Sequence, residues 1–215
     1  MLHVIEQVNK HKIVAIIRTD SIDELEQTVE SLYKGGIRIV EITLNTPGAL
    51  EGISSLQNKY PDLIIGAGTV LDPESARQSI LAGASFLLAP TLKESTITMA
   101  NRYNTFVVPG VLTPTEALAA YEYGARMIKI FPARSVGSKY ISDLKGPLSQ
   151  IDIMAVGGIS LTNAEEFLKA GSSALGIGSS LVDNKLVKQG EFGEIEKRAR
   201  DFVELVNRYN LSKNL

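Results

Sequence analysis

A single lysine lies in the middle of a short apolar run, MIKIFP, at residues 127–132. If the run is a β-strand, alternate side chains share a face, so Lys129 points to the same side as Met127 and Phe131. Burial of an ammonium group lowers its pKa and leaves part of it as the neutral amine that attacks carbonyl carbons. Lys129 is therefore a candidate Schiff-base nucleophile. The alternative is a strand-end lysine that extends to water or pairs with an acid.

A second apolar run carries three polar residues on one face, Glu41, Thr43 and Asn45. The aliphatic residues between them, Val40, Ile42 and Leu44, are expected to pack against helices. A polar face that points into a protein interior needs a hydrogen-bond partner or a ligand. Internal hydrogen bonds would satisfy these side chains equally well.

Two glycine-rich turns, VGGIS at 156–160 and GIGSS at 176–180, each follow an apolar run. Backbone amides in such turns bind anions, and glycine is also the plain choice for a tight turn. The candidate phosphate-binding residues are Gly157, Gly158, Gly178, Ser179 and Ser180. Three lysines farther along these segments, Lys139, Lys145 and Lys185, are expected to be solvated at the surface.

About eight apolar runs alternate with helix-like segments at intervals of roughly 20 to 25 residues. They lie at 14–17, 39–44, 63–67, 86–89, 106–108, 127–131, 151–156 and 174–177. This pattern predicts an α/β fold, a (β/α)8 TIM barrel in a single domain, 1–215, with an extra N-terminal helix over residues 1–11. An open doubly wound sheet has the same periodicity.

Catalytic residues of such a barrel lie at the C-terminal ends of its strands. Glu41 on the second strand and Lys129 on the sixth belong to the same interior layers, so we expect them to meet near the barrel axis. Each charge would lower the cost of burying the other. The pair is either a structural ion pair or an acid/base beside a nucleophile.

The composition excludes several classes of function. A net charge of -2 gives no basic surface for nucleic acid, and the absence of cysteine removes disulfides and thiolate metal sites. The two histidines, His3 and His11, lie together near the N-terminus, so we expect no metal site. Without a signal peptide or a long apolar segment, the chain is expected to be cytoplasmic, with no membrane partner.

Six motifs in order resemble those of the family of 2-keto-3-deoxy-6-phosphogluconate (KDPG) and 4-hydroxy-2-oxoglutarate (KHG) aldolases. They are VEITLNTP (40–47), GAGTV (66–70), PGVLTPTE (109–116), KIFPA (129–133), AVGGIS (155–160) and GIGSSL (176–181). The resemblance implies a class I aldolase of the Entner-Doudoroff type that forms a homotrimer. It implies no cofactor other than a covalent lysine imine.

The resemblance also assigns roles to individual residues. It makes Lys129 the Schiff-base lysine and Glu41 the general acid/base. Thr69 is the implied contact of the pyruvyl carboxylate, and the residues that line the same pocket are Arg18, Pro90 and Phe131. The implied substrate is KDPG, cleaved to pyruvate and glyceraldehyde 3-phosphate, with KHG as a further substrate. The two glycine-rich turns would hold the phosphate.

Three positions depart from the common pattern of the family. Asn45, a substrate-binding candidate, stands where many members have arginine, Val156 stands where gluconate-type members have threonine, and Thr91 follows Pro90 in place of glycine. Asn45 and Val156 together resemble the branch that acts on the epimer 2-keto-3-deoxy-6-phosphogalactonate. Two further alternatives are a sugar-phosphate isomerase or epimerase on the same barrel and a non-catalytic sugar-phosphate-binding module.

Overall fold

The nine strands in the described part of the chain form one parallel sheet. The computed structural model describes residues 1–213. The strands are β1 Ile13–Ile17, β2 Ile39–Thr43, β3 Ile64–Gly68, β4 Phe86–Leu88, β5 Phe106–Val108, β6 Gly110–Val111, β7 Met127–Ile130, β8 Asp152–Val156 and β9 Ala174–Ile177. Their order in the sheet is β5-β4-β3-β2-β1-β9-β8-β7-β6, which is that of a nearly closed barrel.

The predicted α/β class and the parallel sheet are confirmed, whereas the strand count differs from the predicted eight. Pro109 separates β5, which pairs with β4, from β6, which pairs with β7. The two edges of the sheet are thus neighbouring pieces of one segment. Proline has no backbone N–H to give to a ladder, so strand pairing is interrupted at this residue, between β5 and β6. Its carbonyl still accepts the Lys129 amide at 2.8 Å.

Helices connect the strands and cover the outside of the barrel. They are α1 Leu2–His11, α2 Ile22–Lys34, α3 Ala49–Lys59, α4 Pro73–Leu81, α5 Glu94–Arg102, α6 Pro114–Glu122, α7 Gly137–Lys145, α8 Ala164–Lys169, α9 Asn184–Gln189 and α10 Phe192–Lys213, with a 3-10 turn at Ala133–Ser135. No helix in the described part has the length and apolar character that a membrane span needs. Residues 214 and 215 of the predicted domain lie outside the described residues.

The side chains of each strand divide between two apolar clusters, as a period of two requires. Val40 and Ile42 of β2 pack in the outer cluster with the helices, as predicted. Ile39 of β2 and Met127 of β7 lie in the inner cluster. Glu41 and Lys129 come two residues after them, so they project from the same face, nearer the C-terminal ends of the strands.

Helix α1 supplies part of the barrel interior. Its residues Val4 and Val8 belong to the inner cluster together with Phe86 and Phe106. Because α1 precedes β1, these two valines approach the interior from the N-terminal ends of the strands. That end is therefore filled with apolar side chains, and the polar residues occupy the other end.

Candidate active site

Lys129 is buried on β7, with 6% of its surface exposed. Its Nζ lies 4.8 Å from the centre of the Phe131 ring, on the same face of the strand. Burial lowers the pKa of Lys129, the Glu41 carboxylate opposes that change, and the Arg18 guanidinium adds to it. The environment therefore increases the share of neutral amine, which is the nucleophilic form.

Glu41 is buried on β2, with 1% of its surface exposed. Burial raises its pKa to about 7, although the charges of Lys129 and Arg18 act in the opposite direction. Its Oε2 atom is buried without a hydrogen-bond partner among the described residues. This oxygen therefore makes no hydrogen bond with Lys129. The carboxyl group gains and loses its proton near neutral pH, which suits an acid/base.

Arg18 follows β1 and is anchored by two buried threonines. The Thr43 hydroxyl donates to the Ile17 carbonyl at 3.2 Å, and the Thr19 amide donates to the Thr46 hydroxyl at 3.4 Å. The two hydroxyls lie 3.3 Å apart. These bonds hold the peptide groups on both sides of Arg18. Thr43 is thus satisfied by internal hydrogen bonds, one of the two outcomes that the sequence left open.

A cleft of about 670 Å3 opens beside Arg18 and Phe131, whereas Lys129 and Glu41 are not among its described lining residues. It brings together seven of the residues singled out in the sequence: Arg18, Phe131, Gly157, Gly158, Gly178, Ser179 and Ser180. Gly157 and Gly158 adopt φ values of 95° and 79°, which side chains other than glycine rarely tolerate. An added Cβ at Gly178 would meet nothing within 4 Å. Both predicted glycine-rich turns therefore face one open cavity.

Three more predicted residues lie at other strand ends. Thr69 follows β3 with a φ of 56°, an uncommon conformation for a β-branched residue. Pro90 follows β4, and its carbonyl carbon would lie 2.4 Å from a Cβ added at Gly110, the residue that pairs with Lys129. Asn45 is exposed in the turn after β2 and is absent from the described cleft lining. The strand ends at Thr43, so the predicted alternation does not reach Asn45.

Sequence reasoning missed one cation of the cleft, Arg134. Lys185 is exposed, as predicted, and it also belongs to the cleft lining. Lys139 lies at the surface, as predicted, and pairs with Asp143. Lys145 is half-buried, and its ammonium group donates to the carbonyls of Ser149 and Ile151. Arg134 lies in the 3-10 turn, where strand periodicity carries no information. The available signal was its position in the loop that follows β7, five residues after Lys129. Within residues 1–213, no three acids or histidines are grouped to hold a metal ion.

Comparison with known proteins decides the family. Residues 4–198 match the profile described as "Aldolase: KDPG and KHG aldolase". The chain belongs to this aldolase family. Aldolases are carbon–carbon lyases, so the predicted enzyme class is confirmed. The isomerase and the non-catalytic module are set aside.

Relatives of this aldolase act on more than one substrate. It is 34% identical to the KHG/KDPG aldolase of Escherichia coli over 89% of this chain and 91% of the relative. It is 37% identical to the 2-dehydro-3-deoxy-6-phosphogalactonate aldolase of the same organism, over 80% and 85% of the two chains. The KDPG aldolase of Legionella pneumophila, 28% identical, superposes with a TM-score of 0.84 over 88% of this chain and 93% of that chain. That structure holds pyruvate as a covalent carbinolamine.

Glycine at position 68 makes room for the acid of this aldolase. A Cβ added there would lie 1.4 Å from Glu41 Oε1, so alanine would displace the carboxylate. We expect Gly68→Ala to lower the aldolase kcat about 100-fold, the scale of effect for a misplaced reacting group. The matched control is Gly193→Ala in α10, where an added Cβ meets nothing within 4 Å. Equal activity of the two variants in steady-state assays would contradict this account.

Proposed function

We propose that this aldolase is a class I enzyme that cleaves KDPG to pyruvate and glyceraldehyde 3-phosphate, with KHG as a further substrate. The observation that carries the proposal is Lys129, an amine with a lowered pKa, buried beside Glu41 below the ring of Phe131. Such an amine condenses with a 2-keto carbon and forms an imine. The pyruvate carbinolamine of the Legionella relative supports the same chemistry in this chain.

In this mechanism the Lys129 amine adds to the keto carbon, and the carbinolamine loses water to give an iminium ion. Glu41, directly or through water, takes the proton of the hydroxyl group two carbons away. The bond between the hydroxyl-bearing carbon and the carbon next to the iminium carbon breaks. Its electron pair moves into the iminium to form an enamine. Glyceraldehyde 3-phosphate leaves. Protonation and hydrolysis of the enamine release pyruvate and restore Lys129.

The substrate would lie along the cleft with its keto-acid end at Lys129. In this arrangement Thr69 binds the pyruvyl carboxylate, Arg18, Pro90 and Phe131 line the pocket, and Asn45 contributes from the rim. The phosphate lies against the backbone amides and hydroxyls of Gly157, Gly158, Gly178, Ser179 and Ser180. Amides in glycine turns bind anions without a metal. We extend the proposal to a single-domain, cytoplasmic homotrimer that uses no cofactor, as the family resemblance implies.

The galactonate epimer is a second candidate substrate, and Val156 favours it. The Val156 side chain lines the cleft, and its methyl groups lie 2.7 and 3.3 Å from the position of a Cβ on Gly176. An apolar group at this point offers no hydrogen bond to a substrate hydroxyl. The 37% identical relative named for the galactonate substrate agrees with this reading.

Competing cleavage of the two epimers tests the proposal. Equimolar KDPG and its galactonate epimer would be mixed with enzyme, and the remaining substrates quantified over time. Faster loss of KDPG supports the main assignment, and faster loss of the epimer supports the second. No release of pyruvate from either would contradict both.

The acid limb of the pH profile should report Glu41. Its carboxylate accepts the hydroxyl proton, and the pKa of about 7 means that the protonated form dominates at lower pH. We therefore expect kcat/KM for cleavage to rise as pH increases through about 7. Lys129 also loses its proton as pH increases, and its lowered pKa moves this change to lower pH, so it too raises kcat/KM with increasing pH. Initial rates in constant-ionic-strength buffers provide the measurement, and a flat profile between about pH 6 and pH 8 would contradict this role.

A further inference from the structure

Arg134 lies over the second glycine of the VGGIS turn. Its backbone amide donates to the Gly157 carbonyl at 2.9 Å. A Cβ added at Gly158 would lie 2.5 Å from Arg134 Cβ and 2.9 Å from its Cδ. Glycine at position 158 therefore allows the arginine stem to cross the turn. The turn and the arginine form one unit, and Arg134 belongs to the cleft lining.

The charge of Arg134 is available for a ligand. Its side chain is exposed, and no hydrogen bond or ion pair of its guanidinium is formed with the described residues. Lys185 and Arg18 line the same cleft, so its described lining contains three cations. Asp183 is the acid within the described lining, and it already accepts the Lys185 backbone amide at 2.9 Å. The described cleft lining thus carries more positive than negative charge.

We infer that Arg134 is a specificity residue, whose guanidinium binds the phosphate of the substrate and selects phosphorylated over unphosphorylated aldehydes. This inference rests on the proposed function, because Lys129 fixes the other end of the substrate. The planar guanidinium gives two parallel hydrogen bonds to a phosphate. It also supplies a positive charge, which neutral amides and hydroxyls do not carry. An aldehyde without phosphate gains nothing from this contact.

The test is aldol addition of pyruvate to D-glyceraldehyde 3-phosphate and to D-glyceraldehyde. Arg134→Met keeps the unbranched stem over Gly158 and removes the charge. We expect KM for the phosphorylated aldehyde to rise about 10- to 100-fold, with the rate on the unphosphorylated aldehyde within about twofold. Arg134→Lys should be intermediate. Added salt should raise KM for the phosphorylated aldehyde more in the native enzyme than in Arg134→Met.

The matched control is Arg126→Met, which removes an exposed arginine just before β7, at the opposite end of the barrel. It should leave both reactions unchanged. Equal losses on the two aldehydes in Arg134→Met, or an unchanged KM, would overturn the inference. Trapping of pyruvate with borohydride separates it from the proposed function, because pyruvate carries no phosphate. If native enzyme and Arg134→Met both form the pyruvate adduct, but Arg134→Met loses rate equally on the two aldehydes, only the role of Arg134 is contradicted. If native enzyme forms no adduct, the aldolase mechanism is contradicted.

Discussion

Replacing Lys129 with alanine is expected to abolish cleavage of KDPG, with kcat reduced by about four orders of magnitude or more. In the proposed mechanism this amine forms the covalent intermediate. Lys185, the lysine of the described cleft lining, lies in α9 and not on β7. Without this amine no iminium ion forms, and a hydrogen bond to the keto group would not accept the electron pair of the breaking bond in its place. The measurement is pyruvate release by purified variant and native enzyme under saturating substrate.

Two further variants make the Lys129 result specific. Lys129→Met preserves side-chain volume in the buried site, so it separates loss of the amine from loss of packing. Lys139→Ala removes an exposed lysine that pairs with Asp143 and should retain full activity. Far-UV circular dichroism establishes that each variant is folded. A folded Lys129→Met enzyme with substantial turnover would contradict the assignment.

Replacing Glu41 with glutamine is expected to lower kcat about 100- to 10,000-fold, the usual contribution of a general acid/base. Glutamine has nearly the same shape but accepts no proton from the substrate hydroxyl. Condensation of Lys129 with pyruvate should still occur, because pyruvate carries no aldol hydroxyl group whose proton Glu41 would have to take. The part of the acid limb that Glu41 causes near pH 7 should disappear from the activity that remains, so that only the contribution of Lys129 is left. Rates of cleavage and of pyruvate adduct formation measure these two effects.

Glu51→Gln is the matched control for the carboxylate substitution, since Glu51 is exposed on α3. It should leave both rates and the pH profile unchanged. If Glu41→Gln lost adduct formation and cleavage equally, Glu41 would act by organising Lys129 and not by moving the substrate proton. An unaltered pH profile in Glu41→Gln would assign the acid limb to another group.

The sequence predicted the strands well because each is a short apolar run between turns. The predicted run at 106–108 and the observed β5, Phe106–Val108, have the same bounds. Strand β6 was missed because Pro109 looks like a terminator, whereas the chain resumes pairing at Gly110. The length and the period of an apolar run predict one strand at a time. They do not reveal that the segment around Pro109 pairs with β4 before the proline and with β7 after it.

The site was predictable where strand alternation governs it and unpredictable elsewhere. Glu41 and Lys129 lie within β2 and β7, so a period of two placed them on the inner face. Asn45 lies beyond the end of β2, where alternation stops applying. Arg134 depends on a turn whose conformation is set by contacts with Gly157 and Gly158. The pKa of Glu41 depends on burial by several elements, which no single segment encodes.

Borohydride reduction in the presence of pyruvate, followed by peptide mass spectrometry, tests the central claim most directly. The amine of Lys129 should form an imine that borohydride converts to a stable secondary amine. The account predicts a reduced pyruvyl adduct on the peptide that contains Lys129, in native enzyme and in Glu41→Gln, and none in Lys129→Met. Folded native protein without an adduct, or with the adduct on a different lysine, would contradict it.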